Sequence, residues 1–178
     1  MRGKLSRISS DVTHPLSFPF PSHFFVVQLD AASPLHHAAE EGEDLVIAAL
    51  ISMGADVDEV DSEGQTPLMV AASWGNAEAC TLLVEKGGAA LDAKDEGGDT
   101  ALHEAARADD LEVLITLMDL GAALDPRNKL GATPLHVASH KGHKAVVKAL
   151  IQVGPARYCS PRHRMPFNSI NKGSKCVG

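Results

Sequence analysis

Three histidines in the last third of the repeated region have the spacing of metal ligands on a helix. His136, His140 and His143 are separated by four and three residues, which brings their side chains towards one helix face. Imidazole nitrogens bind zinc, but a zinc site needs three or four protein ligands. Nothing near these histidines completes a set of two histidines and a carboxylate on one element. The sequence therefore predicts no metal site.

Residues that could support catalysis also lack a recognised arrangement. The chain has no Gly-x-Ser-x-Gly motif, no phosphate-binding loop and no cysteine–histidine pair at the spacing of a known enzyme family. We expect the glycines after Glu96 to form a turn and paired carboxylates such as Glu40-Glu41 to face solvent. Cys80 falls at an inward helical position, where we expect a small buried apolar side chain. The sequence thus predicts no catalytic residue and no cofactor.

The strongest pattern is a segment that occurs four times, at intervals of 33, 34 and 33 residues. Each copy continues with a pair of small residues, carries an apolar pair seventeen residues after its first residue, and closes with glycine. Self-similarity at this period is typical of a solenoid. The four copies begin with Ser33-Pro34-Leu35-His36, Thr66-Pro67-Leu68-Met69, Thr100-Ala101-Leu102-His103 and Thr133-Pro134-Leu135-His136.

Each copy has the residues that begin and end helices. A hydroxyl such as that of Thr66 accepts a bond from an otherwise unpaired backbone N–H, and Pro67 suits the first helical position. Gly75 suits the left-handed residue that ends the helix, and Asp109 takes this place in the third copy, where we expect a positive φ. We predict eight helices in four antiparallel pairs between residues 32 and 154. The hairpin-like fingers that join the pairs are expected at about 55–65, 89–99 and 122–132.

One copy contains an extra residue. Leu83 lies five residues before Gly88, whereas the corresponding leucines lie four residues before their glycines. We expect the extra residue to be one of the pair Gly87-Gly88 and to lengthen a turn without shifting the helices, because loops absorb insertions.

The unit resembles the ankyrin repeat, whose pattern is Asp-x-x-Gly-x-Thr-Pro-Leu-His-x-Ala-Ala, a second helix and Gly-Ala. Three copies match almost throughout, and the first matches only from Ser33 onward. The resemblance implies an all-α ankyrin-repeat solenoid of helix-turn-helix pairs with short hairpin-like fingers. It also implies that His36, His103 and His136 are structural. The implied units are residues 30–60, 61–94, 95–127 and 128–155.

The resemblance also implies a binding surface for another protein, because ankyrin proteins usually bind through the fingertips and the exposed side of the first helices. Along the stack this surface changes from acidic to aromatic to basic, and Trp74 lies near its middle. A tryptophan that only covers a neighbouring helix is the alternative. The implied partner-binding residues are Glu40, Glu41, Ser62, Glu63, Gln65, Ser73, Trp74, Glu96, Asp99, Arg107, Arg127, Lys129, Leu130, His140 and Lys141.

Charge is distributed unevenly along the 178 residues. The formal net charge is −7, but residues 28–154 contain 22 acidic and 8 basic side chains. A nucleic-acid groove needs clustered lysine and arginine, so we expect no nucleic-acid partner. No apolar run reaches the length of a membrane span, so we expect no membrane insertion.

The two ends differ from the repeats. Residues 1–29 are basic and rich in serine and proline, and residues 156–178 are basic and polar after a break in the helical pattern at Gly154. Both are predicted to be disordered. We expect a cytoplasmic or nuclear protein, with an organelle transit peptide at residues 1–29 as the less favoured alternative.

These patterns favour a non-enzymatic scaffold or adaptor that binds another protein through the concave groove, as a monomer. Two alternatives stay open. The chain could be a regulatory ankyrin module or fragment of a larger multidomain protein of the kinase, channel or acyltransferase type. It could also be an enzyme whose site has no recognised motif.

Overall fold

A computed structural model describes residues 32–152 in full and the backbone of residues 153–158. This part of the chain forms eight α-helices and no strand, which confirms the predicted all-α solenoid of helix-turn-helix pairs. None of its helices is both long and apolar enough to cross a lipid bilayer. The helices are α1 (Pro34–Glu41), α2 (Asp44–Ser52), α3 (Pro67–Ser73), α4 (Ala77–Glu85), α5 (Ala101–Ala108), α6 (Leu111–Leu120), α7 (Pro134–Lys141) and α8 (Lys144–Tyr158).

The helices stack in two layers. Within each repeat the first helix packs against the second, so that α1 contacts α2 and α3 contacts α4, and likewise along the chain. The first helices of successive repeats also pack on one another, and so do the second helices. Stacking on a neighbour therefore buries apolar flanks that a single repeat could not bury alone.

Small side chains allow the first helices to approach closely. Ala71 and Ala72 of α3 are fully buried, and so are the alanine pairs in the same place in α1 and α5. Larger apolar residues of the second helices, such as Leu83 and Leu117, complete the core. Cys80 is buried among them, as expected, and burial raises the pKa of its thiol to about 12. The side chain is therefore an apolar packing group at neutral pH.

Histidine at the third helical position links neighbouring repeats. The backbone N–H of Thr100 donates to Nδ1 of His103 at 3.1 Å, and Nε2 of His103 lies 3.1 Å from the carbonyl oxygen of Ala132 in the next finger. The corresponding distances for His36 are 3.1 and 2.9 Å. Since a backbone N–H can only donate and a carbonyl can only accept, Nδ1 is the acceptor and Nε2 carries the proton. Both histidines are therefore structural.

The fingers between repeats are tight turns that also bond to one another. A carboxylate oxygen of Asp61 accepts two backbone N–H groups of its own turn, at 2.8 and 2.9 Å. The backbone N–H of Glu96 donates to the carbonyl of Glu63 at 3.2 Å, and that of Lys129 donates to Gly97 at 2.9 Å. These bonds confirm the hairpin-like fingers and align their tips along one side of the stack.

The extra residue lies in the turn after α4, as predicted. Gly88 has a φ of 75°, which is the left-handed conformation that Gly54 adopts after α2 with a φ of 87°. Gly87 is required for a different reason, because a Cβ there would lie 2.6 Å from the carbonyl oxygen of Leu83 and 2.8 Å from Val57. The helices keep their register and the turn becomes one residue longer.

Asp109 is the non-glycine residue with positive φ in the described part of the chain, at 61°, which confirms its expected role as the end of α5. Its carboxylate lies 3.3 Å from Nδ1 of His143 in the next repeat. The side chain thus adds a contact between repeats that glycine could not supply.

The predicted end of the last helix was wrong. Helix α8 continues through Gly154 and Pro155 to Tyr158. A proline inside a helix removes one backbone hydrogen bond and crowds the carbonyl four residues before it, but its φ of about −65° is itself helical. The helix therefore continues at a cost in helix propensity. Residues 1–31 and 159–178 lie outside the described residues, so the prediction of disordered ends stays a prediction.

We expect Gly87→Ala to destabilise the fold by about 1–3 kcal/mol, because the new methyl group meets a backbone oxygen that cannot move independently. Gly97→Ala is the matched control, since its Cβ would meet only the side chain of Asp95, at 3.3 Å. Urea denaturation followed by circular dichroism measures both. Equal effects of the two substitutions would contradict the steric explanation.

Candidate functional site

The fingertips and the exposed ends of the first helices form one surface, which we call the groove surface. It consists of the fifteen residues implied by the sequence, apart from Asp99, and all fourteen others are exposed or partly exposed. Stacking of α1, α3, α5 and α7 places their contributions in chain order. The bonds between fingers hold the tips beside one another.

Trp74 is the large aromatic side chain of this surface. It ends α3, where its backbone N–H donates to the carbonyl of Val70 at 3.1 Å, and Gly75 then turns the chain with a φ of 83°. The side chain is 62% exposed although the preceding residues Ala71 and Ala72 are fully buried. Trp74 is therefore held by its backbone and is not a part of the core.

The two ends of the groove surface carry opposite charge. Glu40 and Glu41 lie at the end of α1, and His140 and Lys141 lie at the end of α7. The fingertips follow the same order, with exposed carboxylates in the first two fingers and an exposed Lys129 in the third. Leu130 beside it is 91% exposed. The groove surface therefore offers an aromatic side chain between an acidic end and a basic end.

Arg107 is fixed by two carboxylates rather than free in the groove. Its guanidinium donates to Asp99 and to Glu104. Both acids are buried, with 8% and 5% exposure. Asn128 of the next finger also donates to Asp99, at 2.7 Å. The expected fingertip position of Asp99 was wrong, because these bonds draw its side chain inwards to support Arg107.

Burial and ion pairing act against each other in this cluster. Burial alone would raise the pKa of Asp99, but hydrogen bonds from Asn128 and Arg107 hold that pKa below its ordinary value. Burial dominates for Glu104 and raises its pKa, although Arg107 opposes the shift. Burial would lower the pKa of Arg107, and the two carboxylates raise it instead. Arg107 therefore stays charged and holds the cluster together.

The same cluster has the spacing of a cation site. Carboxylate oxygens of Asp95, Asp99 and Glu104 lie within 4.8 Å of one another, and no other such group occurs in residues 32–152. Arg107 already supplies a positive charge to two of them. Since nothing else at the cluster points to an ion, its arrangement is accounted for by the guanidinium.

The three spaced histidines do not converge on a common point. Nδ1 of His136 accepts the backbone N–H of Thr133 at 3.3 Å, whereas Nε2 of His143 faces the carbonyl of Arg107 at 3.2 Å. The bonds that hold two of these rings explain their presence without a metal.

Two residues that shape the groove surface, Glu104 and Asn128, are absent from the set implied by the sequence. Glu104 occupies a position that is Val70 in the second repeat and Val137 in the fourth, so a carboxylate there is specific to α5. Its spacing of three residues from Arg107 was the available signal, because side chains three apart on a helix are neighbours. The role of Asn128 could not be predicted from neighbouring residues in the sequence, since its hydrogen-bond partner Asp99 lies in the preceding finger.

We expect Arg107→Gln to destabilise the fold by about 1–3 kcal/mol at pH 7, because two buried carboxylates would lose their cation. Adding Glu104→Gln should recover part of the lost stability by removing the repulsion between the two carboxylates.

The pKa of Asp99 is lower in the folded protein than its ordinary value of 3.8. The stability that Asp99 contributes is therefore fully present above pH 3.8 and is lost as the pH falls through the lower folded pKa.

Asp99→Asn should therefore flatten the acid side of the stability profile, measured as the free energy of unfolding between pH 3 and 7. An unchanged acid profile in Asp99→Asn, or no recovery in the double variant, would contradict the role of the cluster.

Comparison with known proteins agrees with this architecture. Residues 21–95 and 88–160 match the family model described as ankyrin repeats (3 copies). Protein phosphatase 1 regulatory subunit 12A from Mus musculus and its counterpart from Rattus norvegicus are each 48% identical to the chain over 48 residues. That alignment covers 27% of this chain and only 5% of each relative. With four stacked helical pairs and a family match over most of its length, the chain belongs to the ankyrin-repeat family.

Proposed function

We propose that the chain is a non-enzymatic scaffold or adaptor that binds another protein through the groove surface. The observation that carries the proposal is the 62% exposure of Trp74 at the end of α3. Large aromatic side chains contribute disproportionately to binding energy near the centres of protein interfaces. Because Trp74 lies between an acidic and a basic end, the charges would orient a partner segment whose apolar residue contacts Trp74.

The charge pattern defines the kind of partner. A segment that lies along the groove surface would place positive residues beside Glu40 and Glu63 and negative residues beside Lys129 and Lys141. An apolar residue between them would cover Trp74. Complementary potentials of this kind steer association and select against partners of the wrong charge order.

The relatives support a binding role in coarse terms. Their name describes a regulatory subunit of a phosphatase, and 48 of their residues align with this chain at 48% identity. Because the chain aligns with only 5% of their length, an ankyrin module within a larger regulatory protein is the second candidate function. Both candidates use the same groove surface.

Further properties belong to the proposal. An excess of acidic residues over residues 28–154 argues against a nucleic-acid partner. The proposed function is non-catalytic, needs no cofactor and involves no insertion into a membrane. It resides in the cytoplasm or nucleus, and a monomer is the state expected from the sequence.

Replacing Trp74 with alanine should weaken binding of the partner by about 2 kcal/mol or more, because an anchor buried at the interface would be lost. The partner is first captured with the full chain as bait, and its affinity is then measured by calorimetry. Leu45→Ala is the matched control, since Leu45 is 88% exposed on α2, outside the groove surface. Circular dichroism should be unchanged in both variants. Equal affinities of the two variants would disprove the assignment of Trp74.

Reversing a charge at either end should act on the association rate. We expect Glu63→Lys and Lys129→Glu each to slow association severalfold at low salt and to reduce its salt dependence, because exposed charges act mainly through steering. Dissociation rates should change less. Stopped-flow fluorescence of Trp74 at several salt concentrations measures these rates, and rates that do not depend on salt would rule out the bipolar arrangement.

A further inference from the structure

The fourth repeat leaves partly or largely exposed a face that the third repeat buries against the fourth. We call this the end face and define it by Leu135, His136, Val147 and Ile151. The counterparts in the third repeat, thirty-three positions earlier in the sequence, are almost completely buried. They are Leu102, His103, Leu114 and Met118, each at 1% exposure or less.

The difference is greatest where the last helix would meet another repeat. Ile151 of α8 is 54% exposed, whereas Met118 in the same place on α6 is fully buried. Val147 and Ile151 line a surface depression together with Gly142 and Lys144. Within the described residues nothing covers this depression. Apolar surface of this kind favours a partner that removes it from water.

The end face also has an unused hydrogen-bond donor. Nδ1 of His136 accepts the N–H of Thr133, so that Nε2 carries the proton, as in the other two histidines of this type. His36 and His103 donate that proton to a carbonyl in the following finger. No residue among those described accepts it from His136. The Nε2–H of His136 is therefore available to donate to a backbone carbonyl of another repeat packed on the end face.

The opposite end of the stack has the matching features. The carbonyl that receives the histidine proton belongs to the residue before each helix cap, which is Ala132 in the fourth repeat and Ala32 in the first. Pro34 is exposed at the start of α1, whereas Pro67 and Pro134 are buried by the repeat before them. The first repeat thus exposes the same kind of surface that later repeats pack against the repeat before them.

Charge favours the contact between the two ends. Residues 33–60 contain seven carboxylates and no lysine or arginine, whereas residues 133–152 contain three lysines and no carboxylate. Glu43 occupies the position of Asp110, whose carboxylate would lie 2.8 Å from a Cβ on Gly75 in the repeat before it. By the same geometry Glu43 of a second molecule would lie over Gly142.

We propose that the end face binds the first repeat of a second copy of this chain, head to tail. The contact would continue the solenoid, with His136 donating to the carbonyl of Ala32 and Glu43 lying beside Lys144. The two surfaces differ, so the contact does not close on itself and produces open chains whose length increases with concentration. The groove surface takes no part in it.

The test follows the mass of the full chain by analytical ultracentrifugation between about 1 and 300 μM, in low and high salt. We expect association that increases with concentration and weakens with salt, since the paired charges are exposed. Ile151→Asp should weaken it by at least about tenfold, because the apolar contact is replaced by a carboxylate. Trp74→Ala is the matched control and should leave association unchanged, which separates this proposal from the function of the groove surface.

A pair of charge reversals tests the orientation. Glu43→Lys and Lys144→Glu should each weaken association on their own, by about tenfold, because like charges would meet. An equal mixture of the two variants should associate again, since each lysine end then meets an acidic end. A chain that is monomeric throughout, as the sequence led us to expect, overturns the proposal. Association that neither reversal weakens, or that the mixture does not restore, overturns it as well.

Discussion

The stack depends on buried imidazole rings that hydrogen-bond one repeat to the next at two of its junctions. In two junctions a buried imidazole accepts a backbone N–H of its own helix start and donates to the finger of the next repeat. The ring therefore fixes the helix start and the neighbouring finger at once. Since a buried donor without an acceptor costs about 1–3 kcal/mol, each ring strongly favours one arrangement of its neighbours. Alanine pairs beside it allow the close packing that this bond requires.

Because the scaffold uses its most repeated residues for stacking, variation between repeats carries the specific properties. Trp74, Arg107 and Lys141 lie on successive first helices, and their residue types differ although their places in the repeat are close. The Arg107 cluster shows that such variation can also be structural. The two buried carboxylates of Asp99 and Glu104 hold the guanidinium of Arg107 at the middle of the groove surface.

Local patterns predicted the fold well, because helix ends depend on neighbouring residues. The positive φ of Asp109 and the longer turn at Gly87-Gly88 both followed from alignment of the repeats. The burial of Asp99 did not, since it depends on Asn128 and Arg107 from other segments. The exposure of Ile151 could not be predicted either, because it depends on which segments pack on α8 in the folded chain. The continuation of α8 through Pro155 escaped prediction because propensity alone does not fix where a helix ends.

The uneven charge along the stack has a consequence for the whole molecule. Residues 33–60 of the first repeat carry carboxylates and no lysine or arginine, whereas residues 128–152 of the fourth carry lysines and no carboxylate. The described region therefore has an electric dipole along the stacking axis. A molecule with such a dipole is turned by the field of a charged body before the two touch. A negatively charged surface would be approached with α7 and α8 leading, and a positively charged one with α1 and α2 leading. The order of the repeats thereby sets the direction from which an encounter begins.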